Sequence, residues 1–88
     1  MAKRTDANQQ EIIDALRQLG VSVQSLHAVG SGVPDLLAGY RGRNYLLEVK
    51  MPDGKLNDKQ AEWHTDWRGD TYVVRTVEDA IHVVTCGS

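Results

Sequence analysis

The chain predicts an α/β domain with a mixed four-stranded sheet flanked by helices, in the order α-β-β-β-α-β-α. Two patterns carry that expectation. Apolar residues recur at helical spacing near both ends and again after residue 57. Between them lie short β-branched or aromatic runs, two of them separated only by a tight turn.

Taken in order, Thr5 or Asp6 is placed to cap a first helix whose apolar positions are Ile12, Ile13, Leu16 and Leu19. Gly20 is its expected stop. Val21, Val23 and, more loosely, Val29 suggest a first strand, and GSG at 30–32 is punctuation. Pro34 to Tyr40 reads as a second strand, RGRN at 41–44 as a turn, and Tyr45 to Lys50 as a third strand, so the pair should form an antiparallel hairpin. MPDGKLN at 51–57 is loop. Asn57 is placed to cap a second helix running to about Trp67, and Thr71 to Arg75 forms a fourth strand. Thr76 with Asp79 resembles a capping arrangement, which favours a final helix over VEDAIHVV, although HVVT is also β-prone.

Residues 1–88 read as one domain, near the lower end of what a single core stabilises. With 41% hydrophobic and 25% charged residues, the composition is that of an ordinary globular protein. No apolar run approaches the roughly 20 residues that span a bilayer. The single cysteine, Cys86, excludes an intramolecular disulfide and fits a reducing compartment. A cytoplasmic protein with no membrane contact and no organic cofactor is expected; the chain has no P-loop, no GxGxxG and no Cys/His cluster with zinc spacing. The formal charge of -2 does not advertise a nucleic-acid partner. Yet Arg41, Arg43, Lys50, Lys55 and Lys59 fall in one stretch, either as a solvated loop or as a phosphate-facing patch.

The stretch YLLEVK, 45–50, holds the chemistry. Side chains alternate along a strand, so Glu48 and Lys50 share one face while Tyr45, Leu47 and Val49 share the other. Alone, this suggests a surface ion pair. If Tyr40 and Tyr45 flank the turn, however, Asp35 faces Lys50 with Glu48 diagonal to it. Two carboxylates a few Å apart repel at neutral pH unless a cation lies between them, and a hard ion with oxygen ligands is the natural occupant. Gln60 has two readings. It is spaced from Asn57 as in a capping box, and it also lies on the stripe Gln60, Trp63, His64 and Trp67 that would face the sheet. Glu11 sits far round the first helix from its apolar stripe, which favours a solvated position. His27, His64 and His82 are isolated, with His64 beside the site helix, and Trp63 and Trp67 read as core or interface before base-stacking surfaces.

Together GVPDLL, a turn, YLLEVK and a helix carrying Gln60 resemble the PD-(D/E)XK nuclease motif, with Asp35, Glu48-Val49-Lys50 and Gln60 in its positions. The fuller string SGVPDLLAGY…YLLEVKMPDGKLNDKQAEWH resembles the VRR-NUC branch, the virus-type replication-repair nucleases, over about residues 10–80. That branch includes stand-alone phage and bacterial proteins and the catalytic domain of the Fanconi-associated nuclease. The resemblance implies a restriction-endonuclease-like core and a phosphodiesterase dependent on Mg²⁺ or Mn²⁺. It assigns Asp35, Glu48 and the Val49 carbonyl to the metal, Lys50 to the phosphate or the water, and Gln60 to support. It also implies an acidic residue on the first helix, for which Glu11 is the match. The substrate implied is branched DNA, a four-way (Holliday) junction cut by a homodimer, in the cytoplasm of a bacterium or of a phage-infected host. Arg41, Arg43, Lys55 and Lys59 are the candidate DNA contacts. The other readings are a non-catalytic DNA-binding or assembly module on the same fold, and a metal-free interaction domain.

Overall fold

A computed structural model describes the backbone of residues 4–86 and the side chains of residues 8–86. Helix α1 (Arg4–Gln18) leads into strands β1 (Ser22–Ser25), β2 (Leu36–Tyr40) and β3 (Arg43–Val49). Helix α2 (Asp58–Asp66), strand β4 (Thr71–Val74) and helix α3 (Val77–Cys86) follow, in the expected order. The strands lie side by side as β1-β2-β3-β4, with the first two pairings antiparallel and the β3–β4 pairing parallel. A parallel pair needs a crossover, and α2 supplies it.

The helix ends follow local chemistry. Thr5 and Asp6 already lie within α1, so neither stands ahead of its first turn as a cap would; their side chains lie outside the described residues. At the other end Gly20 has φ +94°, its N–H donates to the Arg17 carbonyl, and the Val21 N–H donates to the Leu16 carbonyl. This is the double closure of a Schellman stop, sealed by the buried pair Leu16 and Val21. The reversal turns Leu19 outward, leaving it 41% exposed rather than on the apolar face expected for it. In α3 the Thr76 hydroxyl accepts from the Asp79 N–H, while the Asp79 carboxylate reaches back to the Arg75 N–H. The helical alternative for 77–84 is the one the fold adopts.

Two strand expectations need correction. Val29 lies in the loop after β1 and is 59% exposed, because the chain leaves the sheet at Ser25 and turns through Leu26–Val29. The β2–β3 turn is two residues long, not four. Arg41 and Gly42 both have positive φ, 53° and 81°, as a type I′ hairpin turn requires. Tyr40 therefore pairs with Arg43 instead of Tyr45, and Leu36 with Leu47. The register is tighter by two residues, which keeps every side chain on its expected face but moves Asp35 from a position opposite Lys50 to one level with Glu48.

One sheet face carries the core. Leu36, Ala38, Tyr45, Leu47, Val49 and Val74 meet Ile12, Ile13 and Leu16 of α1 and Ala80 and Val84 of α3. Helix α2 lies over the opposite face and buries none of its residues. Among the described residues no helix is long and apolar enough to cross a membrane.

Candidate active site

Strand β3 points Leu47 and Val49 into the core and Glu48 to the other side, and Lys50, one residue past the strand end, pairs with Glu48 there. Glu48 is only 1% exposed, the one buried charged residue among those described. Burying a carboxylate is costly unless it is partnered. Glu48 Oε2 accepts a hydrogen bond from the Gln60 amide at 3.2 Å and lies 3.5 Å from the Lys50 ammonium. Glu48 Oε1 is buried with no partner.

Asp35 is the last residue before β2. Its Oδ2 accepts from the Val49 N–H at 2.9 Å, standing in for the ladder bond that the next residue of a longer strand would make. Its own carbonyl accepts from the Leu26 N–H, which ties it to the loop after β1. So placed, it crowds Glu48. Burial first, and then the charge of Asp35, push the Glu48 pKa up to about 7 against the opposing pull of Lys50.

Gln60 fills both of the roles that its spacing left open. Its backbone N–H donates to Asn57 Oδ1 and its side-chain Oε1 accepts from the Asn57 N–H, a complete capping box. The remaining amide group is then aimed at Glu48. The cap orients the site residue.

Glycine holds the two halves together. Gly32 has φ +82°, and a Cβ there would sit 2.5 Å from the Lys59 carbonyl oxygen in the first turn of α2. The loop that ends in Asp35 thus packs directly on the helix turn that carries Gln60.

The other expected residues are dispersed. Glu11 is exposed on α1, with no hydrogen bond or ion pair among the described residues. Arg41 and Arg43 lie at the hairpin tip, about 16 Å along β3 from Glu48 at ~3.3 Å per residue, with the Arg41 guanidinium 5.0 Å from the Tyr40 ring centroid. Lys55 is exposed in the loop before α2, and Lys59 on the first turn of α2 borders the hollow beside Asp35. The basic stretch of the sequence is therefore two separate regions.

One neighbour escaped the sequence reading, and another was placed there only loosely. Asn8 donates from its side-chain amide to the Lys50 carbonyl at 3.3 Å; its signal was its position one turn before Ile12, on the same side of α1. His64, one turn after Gln60, shares a 3.2 Å hydrogen bond with the Thr71 hydroxyl, while its Nε2 is buried and unpartnered. Burial and then the Lys50 charge lower its pKa, which keeps the ring neutral at pH 7.

The donor set suits a hard divalent ion. It offers two carboxylates at one strand end, one of them with a free buried oxygen, and no sulfur or imidazole within the cluster. Among the described residues no three His, Cys, Asp or Glu side chains converge, so carbonyl oxygen and water would complete the shell.

The four-stranded mixed sheet flanked by helices defines the class, an α/β domain with a VRR_NUC nuclease fold. A solved structure of a VRR_NUC domain superposes with a TM-score of 0.79 and 25% sequence identity, over 99% of this chain and 100% of that one. The chain thus has the fold of that VRR_NUC domain. Among curated proteins, the "Hybrid PKS-NRPS synthetase lepA" of Aspergillus flavus is 38% identical over 66 residues, 70% of this chain. The chain spans 2% of that relative's length. No family model matches the sequence.

Proposed function

We propose that this protein is a Mg²⁺- or Mn²⁺-dependent DNA endonuclease of the cytoplasm, selective for branched DNA and acting on four-way junctions as a homodimer. The observation that carries the chemistry is the free, buried Glu48 Oε1 beside Asp35, with Lys50 paired to Oε2. Asp35, Glu48 and the Val49 carbonyl are the residues that would hold the ion. The bound ion supplies charge stabilisation at the phosphoryl oxygens and a lowered pKa for water.

The chain's own groups do the rest. Lys50 is paired with Glu48 and bonded through its backbone to Val74 and Asn8, so its ammonium is held toward the cluster. It acts by stabilising negative charge on the reacting phosphate and by orienting the water. Gln60 keeps Glu48 Oε2 occupied, which leaves Oε1 to the ion. Two active sites related by a twofold axis would give the paired nicks that a symmetric junction needs.

The test is cleavage of four-way, flapped and linear DNA with Mg²⁺, Mn²⁺ or EDTA, using wild type, Asp35→Asn and Lys50→Ala. Ion-dependent nicking of branched DNA that both substitutions reduce by at least ~10²-fold is expected. Cutting that persists in EDTA would sink the metal mechanism, and a monomeric mass by light scattering at micromolar concentration would sink the dimer.

A further inference from the structure

Trp63 of α2 and Trp67, which follows its last residue, are not core residues. Their rings stack on each other at 4.6 Å between centroids and 15° between planes. Trp67 is 48% exposed, and Trp63 is only partly covered. Gly69 lets the chain pass close to Trp67, where a Cβ would come within 2.9 Å of the indole Nε1. The pair is a preformed aromatic surface turned to solvent.

It also opens onto the candidate active site. A hollow of about 380 Å³ runs beside Asp35 and Gln60 and is bordered by Ser31 and Lys59. A second hollow, in front of Trp63 and Trp67, is bordered by the same Ser31 and Lys59. Sharing that border, the two hollows are read as one trough, with the lysine between them.

Charge along the trough limits what can lie in it. Glu62 and Asp66 border the tryptophan end and repel phosphate there, while Lys59 attracts it in the middle. A nucleic-acid backbone must therefore follow the Lys59 side and turn a base, not a phosphate, toward the indoles. A paired base cannot present its face in this way, whereas an unpaired one can, and stacking on an aromatic ring is tolerant of sequence.

Resting on the nuclease reading, we infer that Trp63 and Trp67 form a stacking site for an unpaired base of the DNA strand held by Lys59 beside the cut. The substrate class is branched DNA in which a base beside the scissile phosphate is unpaired, as where the arms of an opened junction meet. Lys59 contacts one phosphate, and the carboxylates of Glu62 and Asp66 remain free to accept hydrogen bonds from exocyclic amines of the stacked base.

The chain contains two tryptophans and three tyrosines, so fluorescence excited at the red edge, where tyrosine does not absorb, reports this pair alone. The whole protein is titrated in EDTA with an unlabelled oligothymidylate and, separately, with a blunt duplex. Saturable quenching by the oligothymidylate, at least ~10-fold tighter than by the duplex, is expected. Trp67→Ala should weaken it about tenfold, with most of the loss recovered in Trp67→Phe. Lys59→Ala should lower the salt dependence by about one phosphate contact. Absence of quenching, equal quenching by the duplex, or a Trp67→Ala protein that is folded by circular dichroism and binds like wild type overturns the inference. So does an emission spectrum that changes on dilution without DNA in step with a dimer mass, since a second copy would then cover the pair. If quenching fails while Mn²⁺-dependent cutting persists, the nuclease reading stands without this site. Quenching without cutting under any ion leaves the stacking site and removes the nuclease reading.

Discussion

The two faces of the sheet are built on opposite terms. Toward α1 and α3, β3 presents Tyr45, Leu47 and Val49 to a fully apolar layer. Toward α2, the same strand presents Glu48, with Lys50 just past its end, beneath a helix that buries nothing. One face gains stability from hydrophobic burial, and the other gives stability up to keep a carboxylate dry and only half partnered. Strand alternation is what lets seven consecutive residues serve both, because the strongly packed side fixes the position of the weakly packed one.

The comparison breaks most visibly at Leu47, which is fully buried. Leu47→Ala should cost about 2–5 kcal/mol, enough to unfold much of a domain this small. Thermal melting checks it; a melt within a few degrees of wild type would show that α1 and α3 do not rest on β3 as described.

One residue away the sign reverses. In the metal-free protein the folded-state pKa of Glu48 is about 7, against 4.5 for an unperturbed glutamate. Between those pH values the unfolded chain has released the proton and the folded chain has kept it. Stability therefore falls as pH rises from about 4.5 to 7 and is level above. Glu48→Gln removes that loss, so it should stabilise the EDTA-treated protein by up to about 3 kcal/mol at pH 8 while abolishing cleavage. Calorimetry from pH 5 to 8 measures it, and a substitution that destabilises at pH 8 would mean that Asp35 and Glu48 do not strain one another.

This asymmetry explains what could be read from the sequence. The apolar face was legible because period-two and helical spacing register burial directly, as with Leu47 and Val49 or Ile12 and Leu16. Glu48 and Lys50 were legible through the same alternation. The position of Asp35 was not, since it depends on the φ values of Arg41 and Gly42, and a two-residue turn moved it from Lys50 to Glu48. Asn8 and the exposure of Trp67 depend on how helices lie on the sheet, which spacing along one helix does not encode. Gln60 looked like a choice between cap and site because a glutamine amide has an acceptor and a donor at different ends, and the two ends do different jobs.

A smaller effect tests whether the weakly packed face is held from the loop side. Gly32→Ala places a methyl against the Lys59 backbone at a position of positive φ. About 2 kcal/mol of destabilisation is expected from the conformation alone. Because Asp35 and Gln60 flank that contact, cleavage should fall further than stability predicts. Equal activity per folded molecule would show that the loop and α2 are independent.

The smallest expected effect separates the two duties of Gln60. Asn57→Ala removes the acceptor for the Gln60 N–H, worth about 1 kcal/mol, or roughly 4–8 °C of melting temperature in a domain of this size. It leaves the bond from the Asn57 N–H to Gln60 Oε1, a backbone donor that alanine also has, so the side-chain amide stays turned toward Glu48. Cleavage per folded molecule should change no more than severalfold. Gln60→Glu does the reverse: a carboxylate still accepts from the Asn57 N–H and keeps the cap, but it offers Glu48 no donor and brings a third negative charge to the cluster. Its melting temperature should fall by a similar amount, because a buried Glu48 oxygen loses its donor, while its cleavage drops far more. If the two substitutions move stability and cleavage together, the amide is a cap and nothing more, and the dry face of the sheet is held by Lys50 alone.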